Sequence, residues 1–331
     1  MRICVFGVGA LGGMVAAKLH LANIEAHLFD TKAVMDELRM NGLRLTDENG
    51  NCHRLQNLKF VDPTDSKIHF DYVFLALKSH QISAALKDLK TIAGRESTLV
   101  TMQNGIPWWY FQRHPGEFEN HTPESVDPGG EIASALDVRQ IIGSVAYPAA
   151  QSDSPGCVRH VEGNRFTFGE LDGNDSTRCE SLVSIFQQAG FKARQIGDIR
   201  SEIWLKALGN LSFNPVSALT RMTMQQICEH GPSKELVSKM MYEAQQVASA
   251  LDITMRVSVE RRLAGAEKVG HHKTSMLQDL EAGRPMELDA LLGSVVELGR
   301  WTGVPTPTMN DVYSQAKKLG DTCRVSQQTA A

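Results

Sequence analysis

Residues 2–12 read Arg2-Ile3-Cys4-Val5-Phe6-Gly7-Val8-Gly9-Ala10-Leu11-Gly12. The apolar run predicts a short buried strand, and three glycines follow it at the spacing G-x-G-x-x-G. In a strand–loop–helix unit the first glycine permits a tight turn, the second lets the backbone approach a pyrophosphate, and the third lets the helix pack on the strand. The helix expected from about Leu11 to Leu21 directs the positive end of its dipole at those phosphates.

A second strand is predicted to end at Phe29, and Asp30 follows it, 18 residues after Gly12. A carboxylate here accepts hydrogen bonds from the adenosine ribose hydroxyls and repels a ribose phosphate, although it could simply cap a turn. Lys32 could instead hold such a phosphate. The pattern favours NAD(H) and leaves NADP(H) open. The predicted cofactor-binding residues at this end of the chain are Gly7, Val8, Gly9, Ala10, Leu11, Gly12, Asp30 and Lys32.

Composition limits the class of protein. A chain of 331 residues can form two domains, and its 42% hydrophobic and 22% charged residues are typical of soluble proteins. The net charge of −4, without a basic run, argues against binding of nucleic acid or an anionic membrane. The six cysteines show no metal-ligand spacing, so we expect a reduced, cytoplasmic protein without a structural metal.

The first part of the chain alternates strands with helices, which predicts a mostly parallel sheet. Strands are expected at Ile3–Phe6, Ala26–Phe29, Tyr72–Ala76, Thr98–Met102, Ile141–Ala146 and Phe191–Gln195. Two antiparallel hairpins are also expected, one within Leu43–Phe60 and one joining Cys157–His160 to Arg165–Phe168. The stretch Trp108–Glu131 shows no period and is predicted to be either a lid or an irregular insertion.

From Asp198 onward the hydrophobic period becomes helical. One long helix is expected to open at Pro232, and another to end near Gly303. The predicted fold class is therefore α/β plus all-α: a Rossmann-type dinucleotide-binding domain over residues 1–197, followed by a helical substrate and dimerisation domain over residues 198–331.

Lys206, Asn210 and Asn214 recur every four residues, so they share one face of a predicted helix. We call this set the Lys206 strip. A ketone that receives hydride accumulates negative charge on its oxygen, and a desolvated ammonium group can stabilise that charge and deliver a proton. A salt-bridged lysine next to two helix amides is the plain structural alternative.

With these motifs in place, the sequence resembles the ketopantoate reductases (2-dehydropantoate 2-reductases) over nearly its whole length. The resemblance depends on the glycine loop, Leu77-Lys78, Gln103-Asn104-Gly105, the Lys206 strip with Asn214-Pro215, Ser275-Met276-Leu277-Gln278-Asp279, Gly283-Arg284 and Glu287-Leu288-Asp289. It implies a Rossmann domain followed by a helical domain like that of 6-phosphogluconate dehydrogenase, and a homodimer.

The resemblance also implies roles for individual residues. Lys206 would be the general acid, and Glu287 would help to order the closed site. Asn210 and Asn214 would hold substrate oxygens, and Ser275 would bind the substrate carboxylate. Asn104 would lie between the nicotinamide ribose and the substrate, with Lys78 nearby. Each of three residues also has a structural explanation: Asn104-Gly105 is a common turn pair, Ser275 could cap a helix, and Glu287 is favourable near a helix start.

Some positions depart from the family pattern. Asp30 replaces the basic residue that many relatives carry, Leu292 replaces an asparagine, and Trp108-Trp109 follow Pro107.

From the motifs and the resemblance we predict a nicotinamide-dependent reductase of a small 2-oxo acid, with ketopantoate to pantoate as the leading reaction. A reductase of a bulkier 2-oxo acid, to which the tryptophans point, is one alternative. A dinucleotide-binding sensor without catalysis is the other.

Overall fold

The protein is described from a computed structural model that covers residues 1–62, 69–268, 270 and 272–328, without the side chains of 324–328. The chain folds into two compact units. We call them the sheet unit, which comprises Met1–Gln103, Phe111–Thr122 and Gly130–Ile199, and the helical unit, which comprises Asn104–Tyr110, Pro123–Gly129 and Arg200–Ala331. The sheet unit ends at Ile199, two residues after the predicted domain boundary. Two segments from the first half of the chain, Asn104–Tyr110 and Pro123–Gly129, belong to the helical unit. The sequence did not indicate that they would.

The sheet unit contains all the strands of the described residues. They are β1 (Ile3–Phe6), β2 (Ala26–Phe29), β3 (Leu43–Thr46), β4 (Cys52–Leu55), β5 (Lys59–Phe60), β6 (Tyr72–Leu75), β7 (Thr98–Thr101), β8 (Ile141–Ala146), β9 (Ala149–Ser154), β10 (Cys157–Glu162), β11 (Arg165–Glu170) and β12 (Lys192–Gln195). Its helices are α1 (Ala10–Leu21), α2 (Lys32–Asn41), α3 (Ile82–Ile92), α4 (Glu131–Ala135) and α5 (Thr177–Gln188).

The strands form two sheets. The larger has the order β12-β11-β8-β7-β6-β1-β2-β5, and its described pairs are parallel except for β11 with β8. The smaller has the order β4-β3-β10-β9. Helix α1 lies between them, and its residues from Gly12 to Ala17 are all buried. This position explains why α1 is apolar almost all round rather than on one face.

Several predicted boundaries are confirmed, including those of β1, β2 and β8. The first hairpin is also confirmed, since β3 and β4 pair antiparallel, but it is shorter than predicted. Residues Lys59–Phe60, at the end of the predicted range, instead form β5 and pair with β2 in the large sheet.

The second predicted hairpin is wrong. β10 belongs to the small sheet and β11 to the large one, and Gly163, with φ of +72°, lies between them. The antiparallel partner of β10 is β9, which reverses through the turn at Pro155-Gly156. The sequence did not reveal β9 because its residues Ala149–Ser154 include no β-branched or aromatic side chain.

The helical unit contains most of α6 (Ile199–Thr220) together with α7 (Met224–Glu229), α8 (Gly231–Ala250), α9 (Val259–Lys268), α10 (Ser275–Glu281), α11 (Ser294–Thr302) and α12 (Pro307–Gln328). Pro232 lies in the first turn of α8, and Gly303 ends α11 with φ of +69°, as predicted. A π-helical segment, Asp289–Gly293, runs directly into α11 and was not predicted.

The stretch Trp108–Glu131 has the irregular backbone that its sequence predicts. Its tryptophans are core residues: Trp108 and Trp109 are 2% and 1% exposed. Within the helical unit the Tyr110 hydroxyl accepts a hydrogen bond from Trp204 Nε1 at 2.7 Å, and its carbonyl accepts one from Arg200 Nε at 2.6 Å. The Glu297 carboxylate accepts the backbone N–H groups of Glu124 and Ser125 at 2.8 and 2.9 Å.

Two kinds of feature are absent from the described residues. No described helix combines the length and the apolar character needed to cross a membrane. In the same part of the chain, no group of three or more His, Cys, Asp or Glu side chains is placed to hold a metal ion.

Candidate active site

The glycine loop between β1 and α1 is shaped by close backbone approaches. Gly7 has φ of +97°, and its N–H donates to the Phe29 carbonyl at 2.8 Å. A Cβ added at Gly12 would lie 1.8 Å from the Gly7 carbonyl oxygen, so only glycine allows α1 to begin this close to the turn. A Cβ added at Gly9 would meet no atom within 4 Å. The backbone at Gly9 therefore faces open space at the N-terminus of α1, which suits a pyrophosphate.

Asp30 follows β2 and is bonded to this loop. Its two carboxylate oxygens accept the N–H of Val8 at 2.6 Å and that of Thr31 at 2.7 Å. A carboxylate has about four acceptor positions, so these bonds leave capacity for ribose hydroxyls. The Lys32 ammonium is hydrogen bonded to Asp36 one turn further along α2, and its side chain is 88% exposed.

Lys78 lies three residues after the end of β6. Its backbone N–H donates to Gln81 Oε1 at 2.9 Å at the start of a short 3₁₀ turn, Ser79–Gln81. Gln103, two residues after the end of β7, donates from Nε2 to the carbonyls of Leu75 and Leu77 at 2.8 and 3.0 Å. The Gln103 amide thus fixes the backbone that leads to Lys78, a role that the motif Gln103-Asn104-Gly105 did not disclose.

Lys206 lies in α6 and contacts a residue 102 positions earlier. Its Nζ donates to Asn104 Oδ1 at 2.6 Å, within the helical unit. The pKa of Lys206 is lowered from 10.5 to about 8, chiefly because burial disfavours the charged form. The Glu287 carboxylate opposes this decrease, and the Arg262 guanidinium adds to it. Lys206 is thus protonated at neutral pH yet much readier than an ordinary lysine to release its proton.

The segment that carries Asn104 is fixed by contact with the π-helical segment Asp289–Gly293. Ile106 N–H donates to the Ala290 carbonyl at 3.0 Å. Gly105 has φ of +84°, and a Cβ added there would lie 2.0 Å from the same carbonyl oxygen. Asn104-Gly105 is thus a turn, as its composition predicts, but a turn that requires glycine for contact with the segment after Glu287.

The other members of the Lys206 strip lie further along α6. Asn210 is partly buried, and Asn214 is 6% exposed and donates from Nδ2 to Ser275 Oγ at 3.4 Å. Ser275 is not the cap of α10, because Thr274 is the residue whose side chain accepts the Leu277 N–H. The Ser275 hydroxyl is therefore not used in capping.

Each unit thus contains one group of the predicted site residues. The sheet unit holds Gly7–Gly12, Asp30, Lys32 and Lys78, and the helical unit holds Asn104, Lys206, Asn210, Asn214, Ser275 and Glu287. Asn104 was expected with the nucleotide-binding part but lies with the helices. Two residues were not predicted as site residues: Gln103, which was noted only as part of the motif Gln103-Asn104-Gly105, and Arg262 beside α6, which no motif signalled.

Comparison with known proteins agrees with this arrangement. Residues 3–173 match the family described as "Ketopantoate reductase PanE/ApbA", and residues 198–320 match "Ketopantoate reductase PanE/ApbA C terminal". The chain belongs to the ketopantoate reductase family. It is therefore an oxidoreductase, and the predicted fold class and family resemblance are confirmed.

Individual ketopantoate reductases cover nearly the whole chain. The 2-dehydropantoate 2-reductase of Mesorhizobium japonicum is 43% identical over 96% of this chain and 98% of its own length. The structure of the 2-dehydropantoate 2-reductase from Geobacter metallireducens GS-15 is 25% identical, with a TM-score of 0.83 over 96% of this chain and 99% of that one.

A D-mandelate dehydrogenase solved with NADH and anilino(oxo)acetate shares the fold. It is 20% identical, with a TM-score of 0.82 over 98% of this chain and 99% of that one. Ketopantoate reductases use a nicotinamide dinucleotide and a small keto acid. The 43% identical 2-dehydropantoate 2-reductase and the family match favour neither alternative function, the bulkier substrate or the sensor.

Proposed function

We propose that this protein reduces 2-dehydropantoate to pantoate with a reduced nicotinamide dinucleotide, and that Lys206 is its general acid. The observation that carries the proposal is the 2.6 Å contact of the partly buried Lys206 Nζ with Asn104 Oδ1. The 43% identity to the Mesorhizobium japonicum 2-dehydropantoate 2-reductase supports the choice of substrate.

The reaction converts a ketone to a secondary alcohol. When bound, the reduced nicotinamide supplies the hydride, which forms the new C–H bond at the carbonyl carbon. Lys206 gives the carbonyl oxygen its proton as the C=O double bond becomes a single bond, and the neutral amine then regains a proton from solvent. A pKa of about 8 suits this task, since the ammonium is present at neutral pH but is a stronger acid than a solvated lysine.

The neighbours of Lys206 would prepare it for this step. Asn104 fixes the direction of the ammonium by accepting one of its hydrogens. Glu287 stabilises the ammonium electrostatically, and we propose that it also receives substrate hydroxyl groups. Asn210 and Asn214 would hold substrate oxygens, and Ser275, whose hydroxyl is not the cap of α10, would contact the substrate carboxylate.

The sheet unit would hold the dinucleotide. Its pyrophosphate would lie on the loop Gly7, Val8, Gly9, Ala10, Leu11 and Gly12, where the backbone at Gly9 is open. Asp30 would receive the adenosine ribose hydroxyls, and Lys78 and Asn104 would lie near the nicotinamide end. We propose a preference for NADH, because the Asp30 carboxylate would repel the extra phosphate that NADPH carries on its adenosine ribose, and because Lys32 is hydrogen bonded to Asp36.

The two predicted domains would have separate roles. Residues 1–197 would bind the dinucleotide, and residues 198–331 would bind the substrate and form a homodimer. A structure from Staphylococcus aureus that shares this fold at 19% identity is described as a dimeric ketopantoate reductase. The expected cytoplasmic location is supported by the six free cysteines.

The alternative reaction, reduction of a bulkier 2-oxo acid, has little support, because Trp108 and Trp109 are buried in the core of the helical unit.

The test of the proposed function compares nicotinamide absorbance over time with ketopantoate and each of NADH and NADPH. Lys206→Ala should lower turnover by about 10²- to 10⁴-fold while dinucleotide binding persists. Lys239→Ala, which removes an exposed lysine paired with Glu235 on α8, is the matched control and should behave as wild type.

Turnover that survives Lys206→Ala would refute the role of Lys206. Absence of ketopantoate reduction by the wild-type enzyme, together with reduction of another 2-oxo acid in a panel, would refute the proposed substrate.

A further inference from the structure

A second positive side chain lies beside the Lys206 strip. Arg262 comes from α9, is partly exposed, and places Nη2 3.5 Å from the backbone oxygen of Lys206. Both residues belong to the helical unit. No sequence motif pointed to Arg262, because the residue is separated from Lys206 by 56 positions.

The guanidinium of Arg262 lies against Gly209 of α6. A Cβ added at Gly209 would be 2.8 Å from Nη2, 3.0 Å from Nε and 3.3 Å from Cζ of Arg262. Glycine is unfavourable in the middle of a helix, so its presence here calls for a local reason. The reason that the structure offers is space: a side chain at position 209 would displace the guanidinium.

The position of the Arg262 guanidinium matches the chemistry of a 2-oxo acid substrate. The inference drawn from it rests on the function proposed above. A 2-oxo acid carries its carboxylate on the carbon next to the ketone. Gly209 lies about 4.5 Å beyond Lys206 along the helix axis, given the rise of 1.5 Å per residue. The guanidinium thus lies against the turn of α6 that follows the proton donor, with Nη2 at 3.5 Å from the Lys206 backbone oxygen. A guanidinium has five N–H donors, and this number can serve a helix carbonyl and a carboxylate together.

We propose that Arg262 binds the carboxylate of the 2-oxo acid substrate and thereby selects anionic substrates. The Ser275 hydroxyl is neutral and cannot neutralise a carboxylate, whereas Arg262 can. The division of labour then follows the substrate: Lys206 acts on the ketone oxygen and Arg262 on the neighbouring carboxylate. Gly209 is a positioning residue, because it acts only through Arg262.

The test measures ligand binding by calorimetry, with the enzyme saturated with reduced dinucleotide so that no turnover occurs. The probes are pantoate, the small 2-oxo acid analogue oxamate, and pantolactone, which has no carboxylate. Arg262→Ala should weaken both anions by roughly tenfold to a hundredfold, the usual effect of losing a charged hydrogen-bond partner. It should bind the lactone as wild type does.

Three further variants keep the test decisive. Arg262→Lys retains the charge and should lose less affinity than Arg262→Ala. Gly209→Ala retains both charge and helix, but it displaces the guanidinium and should also weaken the anions. Arg261→Ala removes a charge from the exposed neighbouring position of α9 and should leave binding unchanged.

Wild-type affinity for the anions in Arg262→Ala would overturn the proposal, and so would an equal loss for anions and lactone. If the wild-type enzyme binds oxamate through Arg262 but does not reduce ketopantoate, the proposed substrate is wrong and the carboxylate role is supported. Failure of the wild-type enzyme to bind either anion would overturn the role of Arg262.

Discussion

The glycine loop of the sheet unit and the Lys206 strip of the helical unit are built by opposite means. At Gly7, Gly9 and Gly12 the chain omits side chains, so that backbone approaches backbone at Gly7 and Gly12 and the position of a Cβ at Gly9 is open space. Around Lys206, side chains from distant positions converge: Asn104 is 102 residues away and Arg262 is 56 away. A site made of backbone requires a particular local geometry, whereas a site made of side chains requires the rest of the fold to place them.

This contrast predicts that a single methyl group should damage the loop most. In Gly12→Ala the new Cβ would lie 1.8 Å from the Gly7 oxygen, so α1 must move away from the turn. We expect a loss of about 1–3 kcal/mol in unfolding free energy, as in overpacked cores, together with loss of dinucleotide binding. Thermal unfolding and dinucleotide titration measure the two effects.

Gly9→Ala is the matched control for that variant, since its Cβ would meet no atom within 4 Å. It should fold as wild type and still bind dinucleotide more weakly. If Gly12→Ala bound dinucleotide normally, the backbone description of the loop would be wrong.

Turnover should be sensitive to a substitution at Gly105, because the backbone there positions the Asn104 side chain that contacts Lys206. An added Cβ would lie 2.0 Å from the Ala290 oxygen and would move Asn104 away from Lys206. We expect turnover to fall by about 10²-fold in Gly105→Ala, the usual result of a small misplacement. Gly50→Ala shares the φ of +84° but has open space around it, so its turnover should be normal. Equal turnover in the two variants would show that the position of Asn104 does not matter for catalysis.

A smaller effect is expected where the loop does use a side chain. Asp30→Asn keeps an acceptor for the Val8 N–H but removes the charge, so preference should shift toward NADPH by about tenfold, or 1.4 kcal/mol. The ratio of kcat/KM for the two cofactors measures the shift. Lys32→Ala should change this ratio little, and a selective loss of NADPH use in that variant would transfer the cofactor preference to Lys32.

The smallest effect concerns the pH dependence of the strip. The protonated form of Lys206 is the proposed acid, so kcat/KM should fall as pH rises through about 8. Glu287 raises the pKa of Lys206, and Glu287→Gln should therefore move this decline to lower pH by about half to one unit. Arg262→Ala should move it in the opposite direction. A decline that neither variant shifts would belong to another group.

The contrast between the two regions also explains what sequence reasoning could predict. The bounds of β1 and β2, the start of α8 at Pro232 and the end of α11 at Gly303 follow from local patterns, and they are confirmed. The periodicity of Lys206, Asn210 and Asn214 likewise placed them on one helix.

What failed depended on contacts between distant segments. β9 lacks the residues typical of strands and exists because β10 pairs with it, so the hairpin of β10 with β11 was predicted wrongly. No local sequence pattern predicts that Arg262 packs against Gly209, or that Asn104–Tyr110 belongs to the helical unit. The roles of Asn104, Ser275 and Glu287 came from family resemblance, and they stay predictions.

The inclusion of Asn104–Tyr110 and Pro123–Gly129 in the helical unit has a consequence for synthesis of the chain. Tyr110 leaves the ribosome 94 residues before Trp204, the partner of its hydroxyl. At roughly 5–20 residues per second, the segment Asn104–Tyr110 is synthesised at least several seconds before the helices that bury it. The nascent chain therefore exposes Trp108, Trp109 and Tyr110 during that interval. We expect this to be the stage of biogenesis at which the protein depends most on chaperones.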